Sequence, residues 1–187
     1  MSSHGRLVKK EDCLLLVVDI QKTLFDLCVD SAQVHKNVVA LLQAAQCMHV
    51  PIVFSQQNAD KIGPFLPDLT AAAPEAQLYD KLEFSCFSNP ALNQAIAASG
   101  RRTLILTGIE SHVCIFQTGT VAIDEGYTVH VVADAVSARS ADNRRTGLQR
   151  LERAGAVMTS TEMVIFEWLE RAGTQTFREL LPLLKTF

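Results

Sequence analysis

The sequence predicts a three-layer α/β/α fold built on a six-stranded, mostly parallel sheet. Two observations carry this. Short apolar runs that read as strands alternate with helical patterns along the chain. The runs are also near-continuous in Leu, Ile and Val, as strands buried on both faces are. Such alternation gives right-handed crossovers, with helices covering both faces of the sheet.

The elements follow in order. CLLLVVD (13–19) is the first strand and ends on the carboxylate of Asp19. Ser31 is a candidate cap for a helix reaching about Met48, with Val34, Val38, Leu41, Leu42 and Ala45 on its inner face. PIVFS (51–55) is the second strand. Residues 56–76 hold Gly63, Pro64, Pro67 and Pro74 and read as a long irregular stretch, functional or interfacial. A short strand near 76–80 runs into Lys81. Asn89-Pro90 is an N-cap followed by proline at the first helical position, and Gly100 ends that helix. TLILT (103–107) is the fourth strand, and a helix is expected from about Ser111 to Gly126. TVHVV (128–132) is the fifth strand, 141–154 a helix and AVMTS (156–160) a short sixth strand. One or two helices finish the chain.

Composition bounds the function. The 187 residues suffice for one domain, 1–187, with a single sizeable core. The net charge of −3 argues against a nucleic-acid or anionic-membrane partner, which needs clustered Lys and Arg. The nearest basic cluster, Arg139 to Arg153, is interrupted by Asp142 and Glu152 and reads as a solvated helix face. No apolar run is long enough to span a bilayer, and the polar N-terminus does not read as a signal peptide. The five cysteines are odd in number and form no CxxC pair, so neither a disulfide framework nor a zinc site is expected. A reducing, cytoplasmic setting fits.

Chemistry-bearing residues gather at one place. In a doubly wound sheet, ligands bind outside the carboxyl ends of the strands where strand order reverses. In the order 3-2-1-4-5-6 that point lies between strand 1, which ends at Asp19, and strand 4, which leads to Cys114. A cysteine in the first turn of a helix meets free N–H groups and the positive dipole end, which favour a thiolate. The alternative is a buried, inert cysteine. Asp19 reads as a catalytic group, a metal ligand or a cap. Gln21 occupies the position where a phosphotransferase would carry a second carboxylate, and neither GK[ST] nor GxGxxG occurs, so no nucleotide or other cofactor is expected. Lys81 ends strand 3, roughly 10 Å from strand 1. An acid, a cation and a thiol at one crevice can activate the thiol toward a carbonyl carbon.

Three motifs in this order resemble those of the isochorismatase-like, or cysteine hydrolase, superfamily. They are VVDIQ (17–21), the lysine of DKLEFSCF (80–87) and TGIESHVCI (107–115). With VVADAVSARS (131–140), the last is most similar to the isochorismatase domain-containing proteins and their bacterial relatives. The similarity covers about residues 12–165. The resemblance implies a Rossmann-like sheet of order 3-2-1-4-5-6 and a catalytic triad of Asp19, Lys81 and Cys114. It implies a cis peptide between Ile109 and Glu110, with the N–H groups of Glu110 and Cys114 as oxyanion donors. It also points to a homo-oligomer, a dimer or larger, to which 56–76 and 177–187 would offer apolar surface.

Departures from the pattern are informative. Nicotinamidases of the superfamily carry an Asp-x-His metal motif after strand 2; here SQQNADK (55–61) stands there, so no metal is expected. True isochorismatases lack the cysteine, so attack on a small amide or related acyl substrate is the better chemical match. Phe25, Phe84 and Phe87 are candidates for the pocket wall; Gln21 is counted with them but reads rather as a structural hydrogen-bonding partner of the Asp19 surroundings or the loop backbone. Glu110 either pairs with an arginine or touches substrate, and His112 is expected to pack rather than act as a base. The rival readings are a binding protein on the same fold that no longer turns over a substrate, and a thiol redox sensor.

Overall fold

The computed structural model describes residues 7–187. Residues 1–6, the polar start that includes His4, lie outside the described residues. Along the chain run β1 (Cys13–Val18), α1 (Lys22–Phe25), α2 (Ser31–Cys47), β2 (Ile52–Gln57), α3 (Ala59–Ile62), α4 (Pro67–Ala72), β3 (Gln77–Lys81) and α5 (Pro90–Ala98). They are followed by β4 (Thr103–Ile109), α6 (Cys114–Asp124), β5 (Thr128–Ser137), α7 (Ala141–Ala154), β6 (Val157–Thr159), α8 (Thr161–Leu169) and α9 (Gln175–Leu184).

The strands form one six-stranded sheet of order β3-β2-β1-β4-β5-β6, and every pair is parallel. The central β1 is buried at all six positions. Its odd residues Cys13, Leu15 and Val17 enter an apolar layer with α2, α8 and α9. Its even residues Leu14, Leu16 and Val18 enter a second layer with α5, α6 and α7. Burial on both faces is why the run lacks polar alternation. Next to β1, β4 comes so close at Gly108 that a Cβ there would lie 2.1 Å from the Val18 carbonyl oxygen. The same residue has φ +116°, a conformation open to glycine.

Several boundaries differ from the sequence reading. Ser31 is the first residue of α2 rather than its cap; Asp30 takes the cap position, and its carboxylate accepts from Arg144 instead of from the helix. The stretch 56–76 contains α3 and α4, the latter opened by Pro67. β5 runs on to Ser137 because its pairing with β4 shifts register and resumes at Gly108↔Val136. α6 starts at Cys114, three residues later than expected. The Ser111 N–H donates to the Ser137 carbonyl, which ties 111–113 to β5 as a turn. The apolar residues assigned to an oligomer surface also turn inward. Phe65, Leu69 and Leu180 are buried, and Phe177, Leu183 and Leu184 pack on the same core. Within those segments Phe187 stays exposed; the other exposed large apolar residues lie outside them and include Leu82 and Phe84 beside Lys81.

Candidate active site

The site forms at the carboxyl ends of β1, β2, β3 and β4. Asp19 follows β1 in a left-handed conformation, φ +55°. Its N–H donates to the Ser55 carbonyl, which holds it to the end of β2. Lys81 is the last residue of β3 and is paired in register with Gln57. Its side chain crosses the end of β2 and donates to Asp19 Oδ2 at 2.6 Å. The gap between strands 1 and 3 is therefore closed by the lysine's own reach. Its Nζ also donates to Gln57 Oε1 at 2.7 Å and lies 3.8 Å from Cys114 Sγ. Ser55 Oγ donates to the other Asp19 oxygen at 2.8 Å. Asp19 and Lys81 are each 1% exposed and Cys114 is 7% exposed, so this cluster works in a largely dry environment.

The charges follow from that burial. Burial alone pulls Lys81 down, but Asp19, then Cys114 and Cys86, outweigh it and hold the ammonium above its ordinary value. Burial pushes the Cys114 thiol up, Asp19 pushes it further, and Lys81 offsets only part of this. The resting cysteine is thus a thiol. The helix end favours a thiolate, but desolvation and the adjacent carboxylate outweigh it, which leaves a proton for Asp19 to accept. A second thiol, Cys86, donates to Ser55 Oγ at 3.6 Å and is pushed up to about 11, first by burial and then by Asp19.

Before Cys114, the Ile109–Glu110 peptide is cis. Among the described residues, neither the Glu110 nor the Cys114 N–H has a backbone acceptor. The Glu110 carboxylate accepts from the Arg139 N–H at 3.1 Å and from its guanidinium at 3.2 Å. It is therefore engaged with arginine. His112 Nδ1 is buried and has no hydrogen-bond partner among the described residues. Asp134 caps α8 through the Thr161 N–H and hydroxyl. No three His, Cys, Asp or Glu side chains among the described residues come together to hold a metal ion.

The pocket-wall assignments need correction. Phe25 is buried in the layer on one face of the sheet, and Phe87 in the layer on the other, edge-on to Tyr127. Phe84 is 52% exposed. The three do not form one wall. Gln21 is fully buried and spends its amide on backbone: Oε1 accepts from the Gln57 N–H, and Nε2 donates to the carbonyls of Gln57 and Gly63. It braces the loop. Ser55, Gln57 and Cys86 are the site neighbours that sequence reasoning missed. The signal was the polar SQQ ending an apolar strand beside strand 1.

The architecture is that of an isochorismatase-like α/β hydrolase. The chain matches the isochorismatase domain over residues 13–163 and belongs to that family. It is 32% identical to a secreted isochorismatase effector of Phytophthora sojae, over 97% of this chain and 88% of that protein. It is 31% identical to isochorismatase domain-containing protein 2 of Xenopus laevis, over 98% and 90%. Among solved structures it resembles the MAR1 ribonuclease of Caenorhabditis elegans, with TM-score 0.90 and 28% identity over 96% and 93% of the two chains. YcaC of Pseudomonas aeruginosa, solved with hexane-2,5-diol and covalent acrylamide, gives 0.91 and 26% over 99% and 96%. YcaC of Escherichia coli, an octameric hydrolase of unknown specificity, gives 0.85 and 25% over 100% and 99%. No helix among the described residues is long and apolar enough to cross a membrane.

Proposed function

We propose that the protein is a cysteine-dependent hydrolase of small amides or related acyl compounds, with Asp19, Lys81 and Cys114 as its catalytic residues. The observation that carries this is the buried Lys81 ammonium, 2.6 Å from Asp19 and 3.8 Å from Cys114. A thiol held beside a carboxylate in a dry site is set up for general-base activation.

In the proposed reaction the S–H proton passes to Asp19 as sulfur bonds to the carbonyl carbon. The N–H groups of Glu110 and Cys114 receive the resulting oxyanion, and Lys81 offsets the charge on the site. The C–N bond then breaks, and the leaving nitrogen takes the proton from Asp19. Water attacks the thioester with Asp19 again as base, which releases the acid and restores the thiol.

The Pseudomonas neighbour with covalent acrylamide supports a reactive nucleophile on this fold, since acrylamide adds to nucleophiles such as thiols. The Caenorhabditis neighbour is named a ribonuclease. The net charge of −3 and the thiol favour an acyl substrate over RNA here. A homo-oligomer is proposed on the strength of the octameric Escherichia neighbour and of Leu82 and Phe84, exposed beside the site. The cytoplasm is the proposed setting, in keeping with the free cysteines, although the Phytophthora relative is described as secreted.

The test is a panel of small amides assayed with wild type and Cys114→Ala. The expected result is turnover of at least one amide by wild type and none by the variant. Equal rates for both on every hydrolysed amide would overturn the proposal.

A further inference from the structure

We infer that Gln57 is a positioning residue for Lys81: its amide oxygen takes one ammonium N–H, so that with a second on Asp19 the third is directed at Cys114 Sγ. The inference rests on the reading of Cys114 as the nucleophile. It adds a device that fixes the lysine.

An ammonium has three donors and no acceptor. Lys81 Nζ has three neighbours in the site: Asp19 Oδ2 at 2.6 Å, Gln57 Oε1 at 2.7 Å and Cys114 Sγ at 3.8 Å. One acceptor would leave the group free to spin about its last bond. Two acceptors at fixed points define where the third N–H goes, and that direction is the sulfur. Charge-assisted bonds of this kind are the stronger ones, so the geometry is enforced rather than incidental.

Gln57 is itself held so that only its oxygen can face the lysine. Its Nε2 donates to the Leu82 carbonyl at 2.8 Å, which settles which end of the amide points where. Its backbone is clamped separately. The Gln57 N–H donates to Gln21 Oε1 at 2.7 Å, and the Gln57 carbonyl accepts from Gln21 Nε2 at 3.0 Å. Side-chain substitutions at 57 therefore leave the clamp intact. The strand register adds to this, since Gln57 and Lys81 are direct partners across β2 and β3. A neutral acceptor suits the site. It anchors the ammonium without placing a second anion beside the sulfur, where it would oppose thiolate formation.

The experiment measures the rate at which acrylamide labels Cys114, by mass spectrometry across the neutral and mildly alkaline range. Wild type, Gln57→Met and Gln57→Glu are compared, with thermal melts as a check on folding. Both variants lose the donor to Leu82, but only Gln57→Glu keeps an acceptor for Lys81, and it adds a charge. Gln57→Met is expected to lower the rate about tenfold at every pH, the size of one hydrogen bond to a charged group. Gln57→Glu is expected to displace the profile upward by about one pH unit, because a second carboxylate draws the lysine's charge from sulfur. Profiles that superimpose on wild type for both variants overturn the inference. So does an equal loss in both without displacement, which would assign the effect to the Leu82 bond. If Gln57→Met does not fold, the profile of Gln57→Glu decides alone. Fast wild-type labelling with unmoved variants defeats the positioning role and leaves the nucleophile standing. Wild-type labelling of Cys114 no faster than of Cys28 overturns the nucleophile, and this inference with it.

Discussion

Lys81 and Asp19 form an ion pair of 2.6 Å although β2 separates their strands, and both are 1% exposed. The lysine must lie over the end of β2 to make it, which is why Gln57 and Ser55 enter the site. One prediction comes directly from the dryness of this pair.

Removing one partner should cost far more than removing both. Lys81→Met leaves the Asp19 carboxylate buried with one oxygen unpaired, and an uncompensated buried charge costs about 3–5 kcal/mol. Asp19→Asn strands the ammonium in the same way. The double variant Asp19→Asn with Lys81→Met leaves no charge behind and is expected to recover a substantial part of the loss. Urea unfolding of the four proteins checks this. A double variant as unstable as the sum of the singles would contradict it.

The turn before Cys114 should be sensitive to a methyl group on α7. A Cβ at Gly147 would lie 2.6 Å from the Ser111 carbonyl oxygen and 2.8 Å from the His112 nitrogen. Backbone atoms cannot give way as a flexible side chain does. Gly147→Ala is expected to lose about 1–3 kcal/mol through overpacking, although alanine is the better helix former. It should also slow labelling of Cys114, since the displaced turn carries the first residue of α6. Denaturation and labelling rates measured together test both parts.

Stability should fall in mild acid through His130. Burial lowers this imidazole from 6.5 to about 4, so the folded state holds it neutral where the unfolded chain protonates it. Its contribution is fully present above about pH 6.5 and is lost as pH falls toward 4. The loss is at most about 3 kcal/mol. His130→Leu removes the titration and is expected to flatten the pH dependence of Tm over that window. An unchanged slope would assign the acid sensitivity elsewhere.

The sheet order was legible because its causes are local. β1 and β4 are apolar at successive positions, each long helix has its own periodic face, and the crossover rule leaves few ways to assemble them. The three residues Asp19, Lys81 and Cys114 were legible as candidates because each sits at a strand or helix end. Their neighbours were not. Gln57 meets Lys81 through the register of β2 on β3, and Ser55 meets Asp19 through β1 on β2, neither of which a single sequence displays. Phe84 and Phe87 are three residues apart, yet one is exposed and the other buried against Tyr127. Proximity along the chain therefore misled the pocket assignment. How far burial and Asp19 raise the Cys114 thiol was not legible for a related reason. The helix end can be read locally, whereas burial is a property of the whole fold.

The central claim is that Asp19 accepts the Cys114 proton as sulfur attacks. Because the thiol rests protonated, its reactivity should depend on that carboxylate and not only on ionisation in solvent. The direct measurement is the acrylamide labelling rate of each cysteine near neutral pH, in wild type and in Asp19→Asn, mapped by mass spectrometry. Cys28 and Cys86, buried and pushed up to about 12 and about 11, serve as inert references. The expected result is that Cys114 labels far faster than both in wild type. In Asp19→Asn it should slow about a hundredfold, the lower end of general-base effects. Labelling of Cys114 at the reference rate in wild type, or at an unchanged fast rate in Asp19→Asn, would contradict the account.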